Sequence, residues 1–273
     1  MYRMKQCPYR PHALPIIGHI PHASTFIPSD VKTSFVLDEN QLRREILLLT
    51  DWYVDELFSW LGSDAVPFGV SRLVVDPERF VEDNREVMAS KGMGVIYTKT
   101  TDGKNLRRFL SEPEREDLLK TFYWPHIRLM ESMVESCLDE HEFCLILDCH
   151  SFASHPLPFE LDQEANRPEI CIGTDYFHTP LALLESIETF FRSFDWQVFI
   201  DKPYSGTYVP VPFFRRDRRV LSVMLEIRRD LYMDESTSLK TDSFATVKKN
   251  LSELQTLLTA SKLSRQCSPG CSS

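Results

Sequence analysis

No stretch of this 273-residue chain approaches the ~18 uninterrupted apolar residues that a membrane-spanning helix needs. The opening MYRMKQCPYRPH carries basic residues but lacks the apolar core of a signal peptide. Positive charge is not in excess either. The formal net charge is −9, which argues against a nucleic-acid surface or an anionic membrane as partner. The expected setting is soluble and cytoplasmic. The glycines show neither G-x-G-x-x-G nor Walker spacing, so no nucleotide signature is present. There is no H-E-x-x-H, no C-x-x-C, no internal repeat and no low-complexity linker. Cysteine gives no disulfide framework: the count of seven is odd, and Cys7, Cys137, Cys144, Cys149 and Cys171 lie singly in apolar or strand-like segments. That pattern suits reduced, buried thiols. Cys267 and Cys271 sit in a polar tail, SRQCSPGCSS, expected to fray.

What is present is a set of short apolar runs alternating with amphipathic segments. Hydrophobic content of 42% and charged content of 26% are those of a globular protein long enough to bury a sizeable core. The central run is Phe143-Cys144-Leu145-Ile146-Leu147, stopped by Asp148-Cys149-His150-Ser151. A run with no polar member reads as a strand buried on both faces, as in a parallel sheet covered by helices. Period-2 alternation turns Asp148 and His150 to one face and Cys149 to the other. Similar runs occur at 14–20, 66–75, 170–172, 196–200 and 220–228, with helical spacing over 41–61, 178–194 and 238–260. Ser111-Glu112-Pro113-Glu114 is a capping box opening a helix to about Leu138, with a kink at Pro125. The expected fold is a single α/β domain over 14–261, with a mixed, largely parallel sheet flanked by helices. An irregular lead-in (1–13) and a flexible tail (262–273) flank it.

Open α/β sheets bind ligands just beyond the carboxyl ends of their strands. Four such ends carry chemistry here: His22, Asp76, His150 and Glu226. Two imidazoles and a carboxylate form the set that holds a catalytic zinc and leaves a position for water. Asp76 is the expected third ligand, with Glu78 as the alternative. His19 lies inside its run and reads as a core or supporting imidazole. Glu226 is an acid within a buried run, costly unless paired, metal-bound or catalytic. Arg72, Arg79, Arg85, Arg228 and Arg229 cluster near these positions, and arginine grips carboxylates in a bidentate manner. The expected substrate is a small molecule bearing one or two carboxylates. Two rivals stand beside a metal-dependent amidase: a cysteine amidase using Cys149, and a binding module that keeps the fold without the metal.

HIPHAS (19–24), SRLVVDPERF (71–80), GMGVIYTKTTDGKNLR (92–107), LDCHSF (147–152), ICIGTD (170–175) and LEIRRDLYMDE (225–235) occur in this order. In these segments, spanning roughly 14–235, the chain resembles the N-formylglutamate amidohydrolase family. The resemblance implies a phosphorylase/hydrolase-like fold of the zinc carboxypeptidase and aspartoacylase type, binding one zinc ion. It implies hydrolysis of N-formyl-L-glutamate to formate and glutamate, a step of histidine degradation. Another N-acyl or N-formimidoyl amino acid is the alternative substrate. Carried over by position, His22 and His150 would bind the metal and Glu226 would act as general base and then acid; Asp76 is assigned as the third ligand, since Thr25 stands where related carboxypeptidases carry the acid of H-x-x-E. Arg79, Asn84 and Arg85 would bind the substrate carboxylates. Arg228, Gly173 and Thr174 are further expected substrate-binding residues. Asp148 would orient an imidazole.

Overall fold

The apolar runs of the sequence become six strands of one sheet: β1 (Ile16–Ile20), β2 (Ala65–Pro67), β3 (Cys144–Phe152), β4 (Ile170–Gly173), β5 (Val198–Ile200) and β6 (Val220–Arg228). The computed structural model describes residues 14–260. The expected lead-in (1–13) and tail (262–273), with Cys7, Cys267 and Cys271, lie outside them. The sheet order is β2-β1-β3-β6-β4-β5. The first four strands are mutually parallel, whereas β4 runs antiparallel to β6 and parallel to β5. The helices are α1 (Ser29–Lys32), α2 (Glu39–Leu49), α3 (Val54–Leu57), α4 (Glu112–Leu118), α5 (Trp124–His141), α6 (Leu181–Arg192), α7 (Phe244–Ser252) and α8 (Leu254–Ala260). This is the mixed, mostly parallel α/β architecture expected from the sequence.

Alternation along the central strands places the site. On β3, Leu145, Leu147 and Cys149 join one core with residues of α3, α6, α7 and α8. Cys144 and Ile146 pack on the other face against Met130, Val134 and Cys137 of α5. The second row continues into Asp148 and His150, so that face is apolar where α5 covers it and polar beyond. β6 repeats the pattern. Leu221, Val223, Leu225 and Ile227 enter the first core, while Val220 begins a row that passes through Ser222 to Glu226. Register sets His19 abreast of Asp148 and His150 abreast of Glu226. One face of the sheet therefore carries polar residues on three adjacent strands at their carboxyl ends.

Several expected elements differ in ways that matter for the site. The helix expected over 41–61 ends at Leu49: Thr50 is extended (φ −78°, ψ 137°) and Tyr53 is left-handed (φ 64°) before α3 starts. Tertiary contacts override helical periodicity there, since the break lets the Asp51 N–H donate to the His22 carbonyl at 3.0 Å. The run at 66–75 is strand only to Pro67. Val70, Val74 and Val75 are buried within turns and pack with Val95 and Phe122. Asp76 therefore sits in a loop rather than at a strand end, its N–H donating to the Val95 carbonyl. The helix from the Ser111 capping box does form, and it passes through a π-helical turn at Leu119–Tyr123 before Pro125 at the start of α5. The last expected helix, 238–260, is the pair α7 and α8.

Candidate metal centre and active-site cavity

His22 leaves β1 by two residues, and its ring is held from one side. Its Nε2 lies 2.9 Å from Asp76 Oδ1. Asp76 is fully buried, and its other oxygen accepts from Tyr97 Oη at 2.6 Å and Arg72 Nη2 at 2.8 Å. Burial works against the charged form of Asp76, but the charges of His22 and Arg72 hold it well below the usual carboxylate range. His150 is oriented in the same way. Its Nε2 is 3.0 Å from Asp148 Oδ1 and 3.2 Å from Glu78 Oε1. Asp148 is likewise buried, and against that cost His150 and His19 keep it well below the usual range. Ionised carboxylates only accept, so both histidines donate from Nε2 and present an Nδ1 lone pair.

Those two lone pairs face each other. The Nδ1 atoms lie 3.3 Å apart, and Asp51 Oδ2 stands 3.2 Å from that of His150 and 3.6 Å from that of His22. A tetrahedral ion with bonds of ~2.0–2.1 Å places its ligand atoms about 3.3–3.4 Å apart. The three measured separations bracket that value. Three electron-rich atoms this close repel one another unless a cation lies between them. Burial disfavours a charged His150, yet Glu78 and Asp148 raise its pKa well above the ordinary value, so the position draws positive charge. For Asp51 the cost of burial is outweighed by the neighbouring His150 and His22 imidazoles, which hold it well below the carboxylate range. Arg229 takes the other Asp51 oxygen at 3.1 Å and also bonds the Leu48 carbonyl and Ser151 Oγ, fixing the carboxylate in place.

Among the described residues, two other His/acid groups could hold a cation, His22–Asp76–Glu78 and His19–Glu78–Asp148. Each has a single imidazole, and Asp76 and Asp148 already accept from histidine and other donors. The geometry thus sets His22, Asp51 and His150 around one point, with Asp76 on the opposite side of the His22 ring. Asp51, and not the expected ligand Asp76, stands on the Nδ1 side of both rings. Asp51 was invisible to periodicity because, in an unbroken helix, it points off the apolar face.

Glu226 is buried, with Oε2 lacking a hydrogen-bond partner, and it lines a cavity of about 880 Å³ together with His22, Asp51, His150 and Arg229. Burial pushes its carboxyl up to about 8, with His150 lowering and Asp51 raising it further. A carboxyl poised this way can take and return a proton near neutral pH. Arg79 and Arg85 also line the cavity. Arg79 makes only loose contacts, at 3.6 Å to Asp76 and 3.5 Å to Glu86, and Arg85 is over half exposed beside Glu82.

Four expected substrate residues lie elsewhere. Arg228 donates to Glu169, to Asp230 and to the Arg167 carbonyl, so it does not line the cavity; its neighbour Arg229 does. Gly173 and Thr174 are carried away from the site because β4 is antiparallel to β6. Thr174 bonds Asp201, and a Cβ on Gly173 would fall 2.2 Å from the Gly206 carbonyl oxygen, so that glycine serves close backbone packing. Asn84 is exposed and does not line the cavity. Cys149 faces the apolar core, and burial pushes its thiol well up, which leaves the cysteine-amidase rival without a nucleophile. His19 supports the site, donating from Nδ1 to Asp148 at 2.9 Å and meeting His126 through Nε2.

Comparison with known proteins accords with this geometry. The family profile described as N-formylglutamate amidohydrolase matches residues 14–233. No curated protein sequence matches the chain. Among solved structures, the N-formylglutamate amidohydrolase from Ralstonia eutropha superposes with a TM-score of 0.78 at 24% identity, covering 93% of this chain and 96% of its own. A gene product of Agrobacterium tumefaciens superposes with a TM-score of 0.64 at 19% identity, covering 89% and 90%. At such identities the two structures establish the fold. Among the described residues, no helix is long and apolar enough to cross a membrane.

Proposed function

The chain belongs to the N-formylglutamate amidohydrolase family, and from that premise we propose that it hydrolyses the amide bond of N-formyl-L-glutamate with one zinc ion held by His22, Asp51 and His150. The observation that carries the proposal is the set of three ligand atoms 3.2, 3.3 and 3.6 Å apart beside an unpartnered buried carboxylate. Zinc bound there would supply Lewis acidity, polarising the formyl carbonyl and lowering the pKa of a water to ~7. Glu226, at the edge of the same cavity, takes the proton from the attacking water and passes it to the leaving amine nitrogen. Its burial and raised pKa support both halves of that role. Asp76 and Asp148 hold the two imidazoles so that Nδ1 points inward, and Arg229 holds Asp51. Arg79 has donor capacity left over, with its Nε unbonded, and it takes a substrate carboxylate. Arg72 cannot, since Asp76 and Tyr97 occupy it.

Formate release from N-formyl-L-glutamate by the zinc-loaded protein tests the proposal, and no turnover would refute it. A charge-assisted hydrogen bond is worth ~1.5–3 kcal/mol, so Arg79→Met should raise KM about 10–100-fold with kcat less affected. Arg228→Met should leave KM unchanged. Equal effects of the two substitutions would remove the role assigned to Arg79.

A further inference from the structure

The groups assigned to the reaction are only a few of the residues that line the cavity. At about 880 Å³ it lies in the upper part of the ~300–1,000 Å³ range of pockets that enclose drug-sized ligands. Twelve large hydrophobic side chains stand exposed among the described residues, and six of them line this one cavity: Phe80, Val87, Trp124, Leu161, Val211 and Phe214. They come from four separate segments, so no single loop explains the clustering. Exposed apolar side chains gathered around one cavity mark a place where something apolar binds. N-formyl-L-glutamate offers only two methylenes between charged and polar ends. It leaves that surface wet.

We propose that the outer cavity receives an apolar group attached to the substrate, so that the enzyme also hydrolyses larger N-acyl amino acids carrying an alkyl or aryl group next to the scissile amide. The occupant follows from continuity: the apolar wall and the metal-binding histidines line the same space, so a molecule whose amide sits at Glu226 places its extension there. The group can arrive on either side of the amide, from a longer acyl chain or from an apolar amino-acid side chain. The proposal rests on the amidase assignment but not on N-formylglutamate being the preferred substrate.

The test uses the zinc-loaded enzyme and two substrate series: N-acyl-L-glutamates from formyl to octanoyl, and N-formyl derivatives of glycine, glutamate, leucine and phenylalanine. A fully buried methylene contributes about fourfold, so kcat/KM should rise at least about tenfold along one series, and the responding series identifies the side of the amide. Leu161→Asp and Val211→Asp, at 67% and 61% exposed, lie at positions where folding is not at stake, and each should remove most of that rise. Flat values in both series, or a rise that survives both substitutions, would overturn the proposal. So would flat series together with a dimer that Val211→Asp splits by sedimentation, since the apolar wall would then serve a second copy. Turnover of N-formylglutamate with flat series keeps the family reaction and sinks the extension; a rise without such turnover does the reverse.

Discussion

Replacing Glu226 with Gln is expected to lower kcat by about 10²–10⁴-fold, the range that positioned proton transfer supplies, while zinc content stays at the wild-type level. The amide keeps the shape of the carboxyl and loses only its ability to carry a proton. Glu226 is not among the three groups around the metal point, so metal binding should survive. Folding should survive too. Burial raises the Glu226 pKa to about 8, which means its ionised form costs stability in the folded state. That contribution is favourable at low pH and is lost as pH rises toward about 8, so the neutral amide should melt no lower than wild type at pH 7. Single-turnover formate release, metal analysis and a thermal melt separate these effects. Activity near wild type would remove Glu226 from the mechanism, and a loss of zinc with the activity would make it a ligand.

The second large effect distinguishes two buried aspartates that touch the same histidine. Asp51→Asn should leave the protein essentially without metal after dialysis. The substitution removes the carboxylate that stands on the Nδ1 side of both imidazoles and leaves the Arg229 guanidinium facing an amide. Asp76→Asn acts from the far side of the ring. It should retain zinc, with affinity or activity lowered about 10–100-fold, as expected for a residue that orients a ligand. Isothermal titration with zinc reads both. If Asp76→Asn abolishes binding and Asp51→Asn does not, the ligand set returns to His22, Asp76 and His150.

The contrast between these aspartates shows what sequence reasoning could reach. Strands β3 and β6 were legible because their cores have no polar member until the chemistry begins, so His150 and Glu226 stood out at once. His22 was legible because it follows an apolar run by two residues. Asp76 lies beside Nε2 of His22 rather than Nδ1, a distinction beyond reach because sequence distance cannot say on which side of an imidazole a carboxylate falls. Asp51 was hidden by the helical periodicity of 42–57, which runs through a break that only the tertiary contacts with His22, His150 and Arg229 stabilise. A signal did exist: Thr50-Asp51 is a pair of cap-type residues inside an apparent helix, a stop-and-restart mark. Gly173 and Thr174 were misplaced because a short apolar run carries no information about strand direction. Arg228 and Arg229 are adjacent and identical, and only their partners separate the strand's ion-pairing residue from the one that anchors Asp51.

A zinc amidase and a metal-free one part company when the metal is taken away. Zinc should be counted in the purified protein, then removed by chelation and restored stepwise while formate release from N-formyl-L-glutamate is followed. About one zinc per chain is expected, with activity lost with the metal and full recovery near one added equivalent. A metal-free protein that still turns over at the wild-type rate would contradict the account.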